Sequence, residues 1–482
     1  MNLNIIQRDR AIGAVLGGAM GDALGAPYEF EPPRKHDEPI ELTGGGFFNW
    51  EPGEWTDDTA MAICILSLLA EGKSLSETET QDDLVGAWRD WAALASDVGV
   101  QTRTILSRLD SPTREEALHQ SQRLHQDSGR TAGNGSLMRT GPVFIGSLDS
   151  AETTAKNARA ISKLTHWDDD AGDACVLWSL ALQHAVLNGE LDIRIGLPHL
   201  PEESQGRWTQ LIDEAEKNEP AYFSNNGWVV HAFQAAWSAI NLAVKAPEEQ
   251  FRYQAERFAF GLEQAVRAGN DTDTVAAIAG SLLGAFYGST SVPADWRLEL
   301  HGWPGFDDTE LVRLTNRALN GVAQANSWPN IPKFDYSTWS GRFELAQHPA
   351  DEGLWLGGVG SLQNLPKEVT AVISLCRIGT DEIPVRVQRR LEIYLMDKPG
   401  PENNLNLGFT FETVAAAIKK LRDQGEIVYL HCVQSQSRTP SVAATYSVKY
   451  LGRTPEEAMK EISTVLPAAH PIAEFVNQIS SL

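Results

Sequence analysis

The chain has 482 residues and a formal net charge of -24, which disfavours attachment to nucleic acid or to an anionic membrane through bulk electrostatics. Its length calls for two or three domains, and 42% hydrophobic against 22% charged residues excludes a disordered chain. The four cysteines, Cys64, Cys175, Cys376 and Cys432, form no CxxC pair, so neither a zinc site nor a disulfide framework is expected, and a reducing cytoplasm is the expected location.

At the amino end, AIGAVLGGAM (residues 11–20) follows Arg8 and Arg10 and imitates a signal peptide, but its glycines and the preceding Asp9 argue against secretion. No run of about 18 apolar residues occurs, so no membrane span is expected. From about residue 10 to 325 the pattern is helical nearly throughout. The runs at 59–72, 171–190, 227–243 and 273–288 are rich in Ala and Leu and mostly end in Gly or polar residues, which predicts one all-α domain. Residues 326–342, NSWPNIPKFDYSTWSGR, show no sustained period and are expected to link domains. Beyond them, short β-rich runs at 352–358, 369–376, 390–397 and 426–432 enclose a helical segment at 411–425. That order predicts a small α/β domain, 343–482, with a mainly parallel sheet. TPEEAMKEI (454–462) adds a helix with Thr454 as N-cap and Glu457 closing a capping box.

Two segments of the first domain carry more acid than a helix start needs. EWTDDTAMAI (54–63) places Thr56, Asp57 and Asp58 at the head of one apolar helix, and AGNDTDTVAAIAG (268–280) places Asp271, Asp273 and Thr274 at the head of another. Capping explains one such residue per helix. If the two helix starts face each other, the oxygens make a site for hard cations. Three other segments stand out: GGAMGDALGAPYEF (17–30), a close-packing helix with Asp22 and Glu29; GNGSLMRTGPV (133–143), a turn able to bring amides to a pyrophosphate; and LTHWDDDAGDAC (164–175), with His166 just before a helix. Asp22 also reads as a helix cap.

In this order the five motifs resemble the ADP-ribosylglycohydrolase family, over residues 8 to 325, here counted as a domain of 1–325. The resemblance implies an all-α fold with a centre of two Mg2+ ions, or Mn2+, beneath the terminal ribose of an ADP-ribosyl group. It implies Thr56, Asp57, Asp58, Asp271, Asp273 and Thr274 as metal ligands, Glu29 beside the metals, and Asn134, Gly135, Ser136, Met138 and His166 as ADP-ribose contacts. Asp57, Asp58 or Glu29 would manage protons as the bond to the acceptor breaks.

In the second domain, HCVQSQSRTP (431–440) follows a buried strand and starts a helix. Loop amides and the helix N-terminus then converge on an anion and favour Cys432 as a thiolate nucleophile. Arg438 offers a planar fork for phosphate oxygens, Thr439 a hydroxyl to assist hydrolysis, and Asp397, at the end of the 390–397 run, a general acid. The H-C-x5-R-[ST] pattern resembles the protein tyrosine phosphatase superfamily, dual-specificity branch, over residues 343 to 482, and implies Cys432, Arg438 and Asp397 in those roles. Ser435 stands where that superfamily usually has Gly, a departure that bears on the cradle's shape.

The expected protein is thus a two-domain hydrolase that takes ADP-ribose from a modified protein or other acceptor. Its phosphatase-like domain would act on a phosphorylated protein or a phosphorylated ADP-ribose product. The alternatives are that the second domain is a weak or inactive phosphate-binding module, or that the first only binds ADP-ribose.

Overall fold

The computed structural model describes residues 3–321, 327–340 and 342–482. The chain divides into two compact units. One takes everything up to Val292 together with the stretch from Glu299 through the helix ending at Asn320; the other takes Pro293–Leu298 and the described residues from 327 onward. The expected break at 325/326 lies outside the described residues, as do Asn326 and Gly341 of the expected linker.

The larger unit is built from α1 (Ile5–Gly25), α2 (Asp57–Ala70), α3 (Thr78–Ala92), α4 (Val100–Leu106), α5 (Arg114–Ser128), α6 (Ala151–Lys163), α7 (Asp169–Asn188), α8 (Glu202–Ala215), α9 (Val229–Lys245), α10 (Glu256–Val266) and α11 (Thr272–Tyr287). The short helix α12 (Ala294–Arg297) falls in the smaller unit, whereas the hairpin of β1 (His301–Gly302) and β2 (Phe306–Asp307), and α13 (Asp308–Asn320), return to the larger. α1, α7 and α11 are buried along most of their length, which explains why their sequences are apolar on every side.

α1 and α11 pack antiparallel through glycine. Gly17 faces Gly280 and Gly13 faces Gly284, and a methyl group on any of these four would overlap the partner's backbone carbonyl. Only residues without a Cβ let the two backbones approach this closely. The same repeat continues through Gly21 against Ala276 to Gly25 against Asp273, so the carboxyl end of α1 is delivered to the acidic start of α11.

The smaller unit has a five-stranded sheet in the order β3 (Leu345–His348), β4 (Asp351–Gly358), β7 (Val428–Cys432), β5 (Ala371–Ser374), β6 (Arg389–Glu392). β3 pairs antiparallel with β4; the other three pairings are parallel, with Gly358 opposite Cys432 and Ser374 opposite His431. α14 (Leu407–Asp423), α15 (Arg438–Tyr450), α16 (Pro455–Val465) and α17 (Ala473–Ser480) complete it. The capping box of Thr454 and Glu457 is present.

Two expectations change here. The 390–397 run is a strand only as far as Glu392, and its continuation is an irregular loop in which the Asn404 side chain bonds the backbone of Met396 through both its amide atoms. The segment expected to be a linker is instead tied to the smaller unit. The Trp328 indole donates to the Ile378 carbonyl at 3.1 Å, the Tyr336 hydroxyl to the Arg377 carbonyl at 2.8 Å, and Thr380 and Asp381 N–H donate to Ile331 and Pro332 carbonyls. An aperiodic stretch can still be anchored when its aromatic rings find burial and its backbone finds partners. Among the described residues no helix is long and apolar enough to cross a membrane.

Candidate functional site

In the larger unit three helix ends meet. Asp22, on the last turn but one of α1, is fully buried. Its Oδ1 accepts from Thr56 N–H at 2.9 Å and the Thr56 hydroxyl at 2.8 Å, and its Oδ2 from Thr59 N–H at 2.9 Å. Asp22 therefore caps α2 from another helix: Thr56, the N-cap residue, makes no capping bond of its own. The result is that Asp22, Asp58 and Asp273 place one carboxylate oxygen each within 4.8 Å of one another, and Glu29, Asp97 and Asp273 do the same. The two triads share Asp273.

The remaining oxygens are partly engaged. Asp57 Oδ2 accepts from Gly99 N–H at 3.2 Å, and Asp271 Oδ2 from Asn134 Nδ2 at 2.8 Å. Thr56 Oγ1 lies 3.0 Å from Asp58 Oδ2, and Thr274 Oγ1 lies 3.9 Å from Met138 Sδ. Among the described residues, the buried Asp58 Oδ1 and Glu29 Oε2 have no donor.

Among the described residues, none of these seven carboxylates forms a salt bridge. Burial, opposed by hydrogen bonds from Thr59 and Thr56, pushes Asp22 up to about 6. Burial, then Asp271, Asp97, Asp57 and Asp22, pushes Glu29 up to about 9. Burial, then Asp22 and Asp271, brings Asp97 to about 6. Burial first, and then neighbouring carboxylates, pushes three more well above the usual range: Asp57 through Asp97 and Asp22, Asp58 through Asp22 and Asp57, and Asp273 through Glu29 and Asp58; burial raises Asp271. Clustered buried carboxylates with orphaned oxygens and no basic partner are the donor set a hard divalent cation takes.

The turn at 133–136 lies against this cluster. Asn134 Nδ2 donates both to Asp271 and to the Asn226 carbonyl at 2.9 Å. Asn226 in turn accepts from Asp271 N–H through Oδ1 and donates to the Gly269 carbonyl. Gly135 packs on the His166 ring. Burial, then the charge of Arg139, holds His166 well below the usual histidine range, so it is neutral. Met138 is buried beside Thr274. The Ser136 hydroxyl points inward, where it accepts from Ser162 at 2.9 Å and from the Cys175 thiol, which leaves its backbone as the part facing the turn.

In the smaller unit, Cys432 ends β7 and Arg438 begins α15. Arg438 Nη1 donates to the carbonyls of Leu375 at 3.1 Å and Leu395 at 3.0 Å, while its buried Nε has no partner among the described residues. Ser435 has φ of +60°, the left-handed conformation that favours glycine, and its buried hydroxyl has no partner among the described residues. Thr439 Oγ1 lies 3.4 Å from the Gly357 carbonyl. His431 stacks on Tyr429 and bonds Ser374 Oγ at 2.7 Å; burial lowers it to about 4. Asp397 is exposed, in the loop beyond β6.

A family model described as ADP-ribosylglycohydrolase matches residues 3–327. The chain belongs to the ADP-ribosylglycohydrolase family. It is 31% identical over 294 residues to an ADP-ribosylarginine hydrolase Tri1 of Pseudomonas putida (strain GB-1), covering 60% of this chain and 73% of that one. With the ADP-ribosylarginine hydrolase Tri1 of Serratia proteamaculans (strain 568) it shares 28% identity over 297 residues, 60% of this chain and 74% of the other. A solved structure of human DUSP28 matches 28% of this chain and 90% of its own at 20% identity, with a TM-score of 0.25, too low to carry an argument. As a family member the chain is a hydrolase of ADP-ribosyl linkages.

Of the residues expected at this ADP-ribosylglycohydrolase site, Glu29, Asp58 and Asp273 fall in the two triads, and Asp57 and Asp271 lie near enough for their charges to act on Glu29 and Asp58. Sequence reasoning missed Asp97 and Asn226 and gave Asp22 no metal role. Asp97 sits in an irregular stretch between α3 and α4 and Asn226 in a loop, with no pattern to mark either; Asp22 was visible only as an acid in a glycine-rich helix.

Proposed function

We propose that the larger unit, read as a domain of residues 1–325, hydrolyses the bond between ADP-ribose and a modified acceptor at a two-cation centre. The convergence of Asp22, Asp58 and Asp273, with Glu29 and Asp97 sharing Asp273, carries this reading. Those five carboxylates would hold the cations, with Thr56, Asp57, Asp271 and Thr274 offering further oxygens. Bound Mg2+, or Mn2+, supplies charge neutralisation and Lewis-acid polarisation of ligand hydroxyls and water. The chain's own part is to position. Asp22 fixes the start of α2, Asn134 holds Asp271, and Gly135 with His166 shapes the surface for ADP-ribose, beside Met138 and the backbone of Ser136. Glu29, Asp57 or Asp58 returns a proton to the departing acceptor as water adds to the anomeric carbon. The two Tri1 relatives, named for ADP-ribosylarginine, support an arginine-linked protein acceptor. Release of ADP-ribose from an ADP-ribosylarginine substrate, lost in Asp271→Ala, is the expected result; binding of ADP-ribose without release would reduce the unit to a binding module.

For the smaller unit, read as residues 343–482 after a connecting stretch at 326–342, we infer a cysteine-dependent phosphatase of the dual-specificity type. Cys432 would be nucleophile, Arg438 the phosphate fork, Asp397 the acid and Thr439 the group assisting hydrolysis of phosphocysteine. The left-handed Ser435 supports it, because the loop keeps the shape that glycine usually provides. Its substrate would be a phosphorylated protein or a phosphorylated ADP-ribose product. The second reading, a module that only binds phosphate, is favoured by Arg438 Nη1 being committed to two carbonyls. Hydrolysis of an aryl phosphate decides: equal rates for the intact protein and Cys432→Ser support the binding module. The expected compartment is the cytoplasm.

A further inference from the structure

Arg139 is fully buried yet has no carboxylate partner among the described residues. It lies 4.0 Å over the Trp88 ring, and among the described residues its Nη1 reaches only Met61 Sδ and its Nε has no acceptor. A buried guanidinium held this weakly is costly, and its one strong bond is from Nη2 to Thr165 Oγ1 at 2.6 Å. Thr165 Oγ1 in turn lies 2.8 Å from His166 Nδ1.

The donor rules give this chain a direction. Arginine only donates, so Thr165 Oγ1 accepts from Arg139. The Thr165 hydroxyl proton has no other acceptor among the described residues. It is used only if it points to His166 Nδ1, which must then be the unprotonated nitrogen. The proton of the neutral ring is left on Nε2. That edge meets the 133–135 turn, where a Cβ on Gly133 or Gly135 would stand 3.4 or 3.2 Å from Nε2. Neither glycine places a side chain in front of this donor, which has no acceptor among the described residues.

We propose that Arg139 and Thr165 are positioning residues that fix His166 as the tautomer protonated on Nε2, making it a hydrogen-bond donor toward an oxygen of the ligand on this turn. The ligand part rests on the proposed ADP-ribose reading; the tautomer part does not. Arg139 supplies the direction, Thr165 transmits it, and Gln101, whose amide donates to the Thr165 carbonyl at 2.8 Å, holds the threonine in register.

The test uses the full chain labelled with 15N-histidine, with His166 assigned by its absence in His166→Gln. In the ligand-free wild type at neutral pH, His166 is expected to show a protonated Nε2 and an unprotonated Nδ1. Thr165→Val removes that bias and weakens ADP-ribose binding by about tenfold, the worth of one hydrogen bond, and Thr165→Ser restores both. A wild-type His166 protonated on Nδ1 overturns the proposal even if the valine variant fails to fold, as does a valine variant that keeps the wild-type tautomer. A changed tautomer with unchanged ADP-ribose affinity supports the relay and overturns the placement of ADP-ribose on the turn.

Discussion

Asp58→Asn changes one atom in the acidic cluster and should move two observables in opposite directions. Asp58 is buried, its Oδ1 has no donor, and its carboxylate shares a 4.8 Å neighbourhood with Asp22 and Asp273. At an effective dielectric of about 20, two charges at that separation repel by roughly 3 kcal/mol. Protonation within the cluster already relieves part of this, so the isosteric amide should stabilise the cation-free larger unit by about 1–3 kcal/mol. For a unit of this size that is a rise in Tm of about 2–6 °C. The same change removes a ligand oxygen, so the stabilisation that Mg2+ adds to the wild type should shrink and ADP-ribose release should fall. Thermal unfolding at pH 8, in chelator and then in millimolar Mg2+, reads both. If Asp58→Asn melts lower than wild type in chelator and keeps the full Mg2+ increment, the reasoning from clustered charge is refuted.

Three other outcomes follow from the same geometry. Asp22, Asp97 and Glu29 have folded pKa values raised above the ordinary carboxylate range, to about 6, 6 and 9. The folded state therefore binds protons more tightly, and without cations the larger unit should gain stability as pH falls from about 9 to about 4; a flat profile in chelator contradicts this. Gly280→Ala would drive a methyl into the Gly17 backbone and should destabilise by about 3 kcal/mol; because the same packing sets the distance from α1 to α11, Mg2+ affinity should fall with it, as calorimetry would show. Ser435→Gly removes a left-handed serine and an unpartnered buried hydroxyl, so chemical denaturation should find the smaller unit more stable by about 1–2 kcal/mol.

The helical and α/β segments were legible because their periods are local properties. So were the acidic helix starts at 56–58 and 271–274, because Asp and Thr gather at helix N-termini for a local reason. Asp22 was not legible as a site residue: it caps a helix whose N-cap residue, Thr56, lies 34 residues later in the chain, and no local pattern encodes a partner that distant. The end of β6 at Glu392 was missed because the apolar run continues: Ile393 and Leu395 are buried beyond the strand's last paired residue. The stretch from 327 looked like a linker for lack of a period, yet Trp328 and Tyr336 anchor it through single hydrogen bonds that composition does not reveal. In the sequence Ser435 is visible only as a departure from the usual glycine; that it adopts the left-handed conformation is a property of the folded backbone.

The central claim is that cations held by the Asp273-centred carboxylates enable ADP-ribose release. Its most direct test follows free ADP-ribose from an ADP-ribosylarginine substrate with chelator, with restored Mg2+, and with Asp273→Asn in Mg2+. No release is expected in chelator, full recovery with Mg2+, and a loss of more than about a hundredfold in the variant. Release that persists in chelator, or survives Asp273→Asn unchanged, would contradict it.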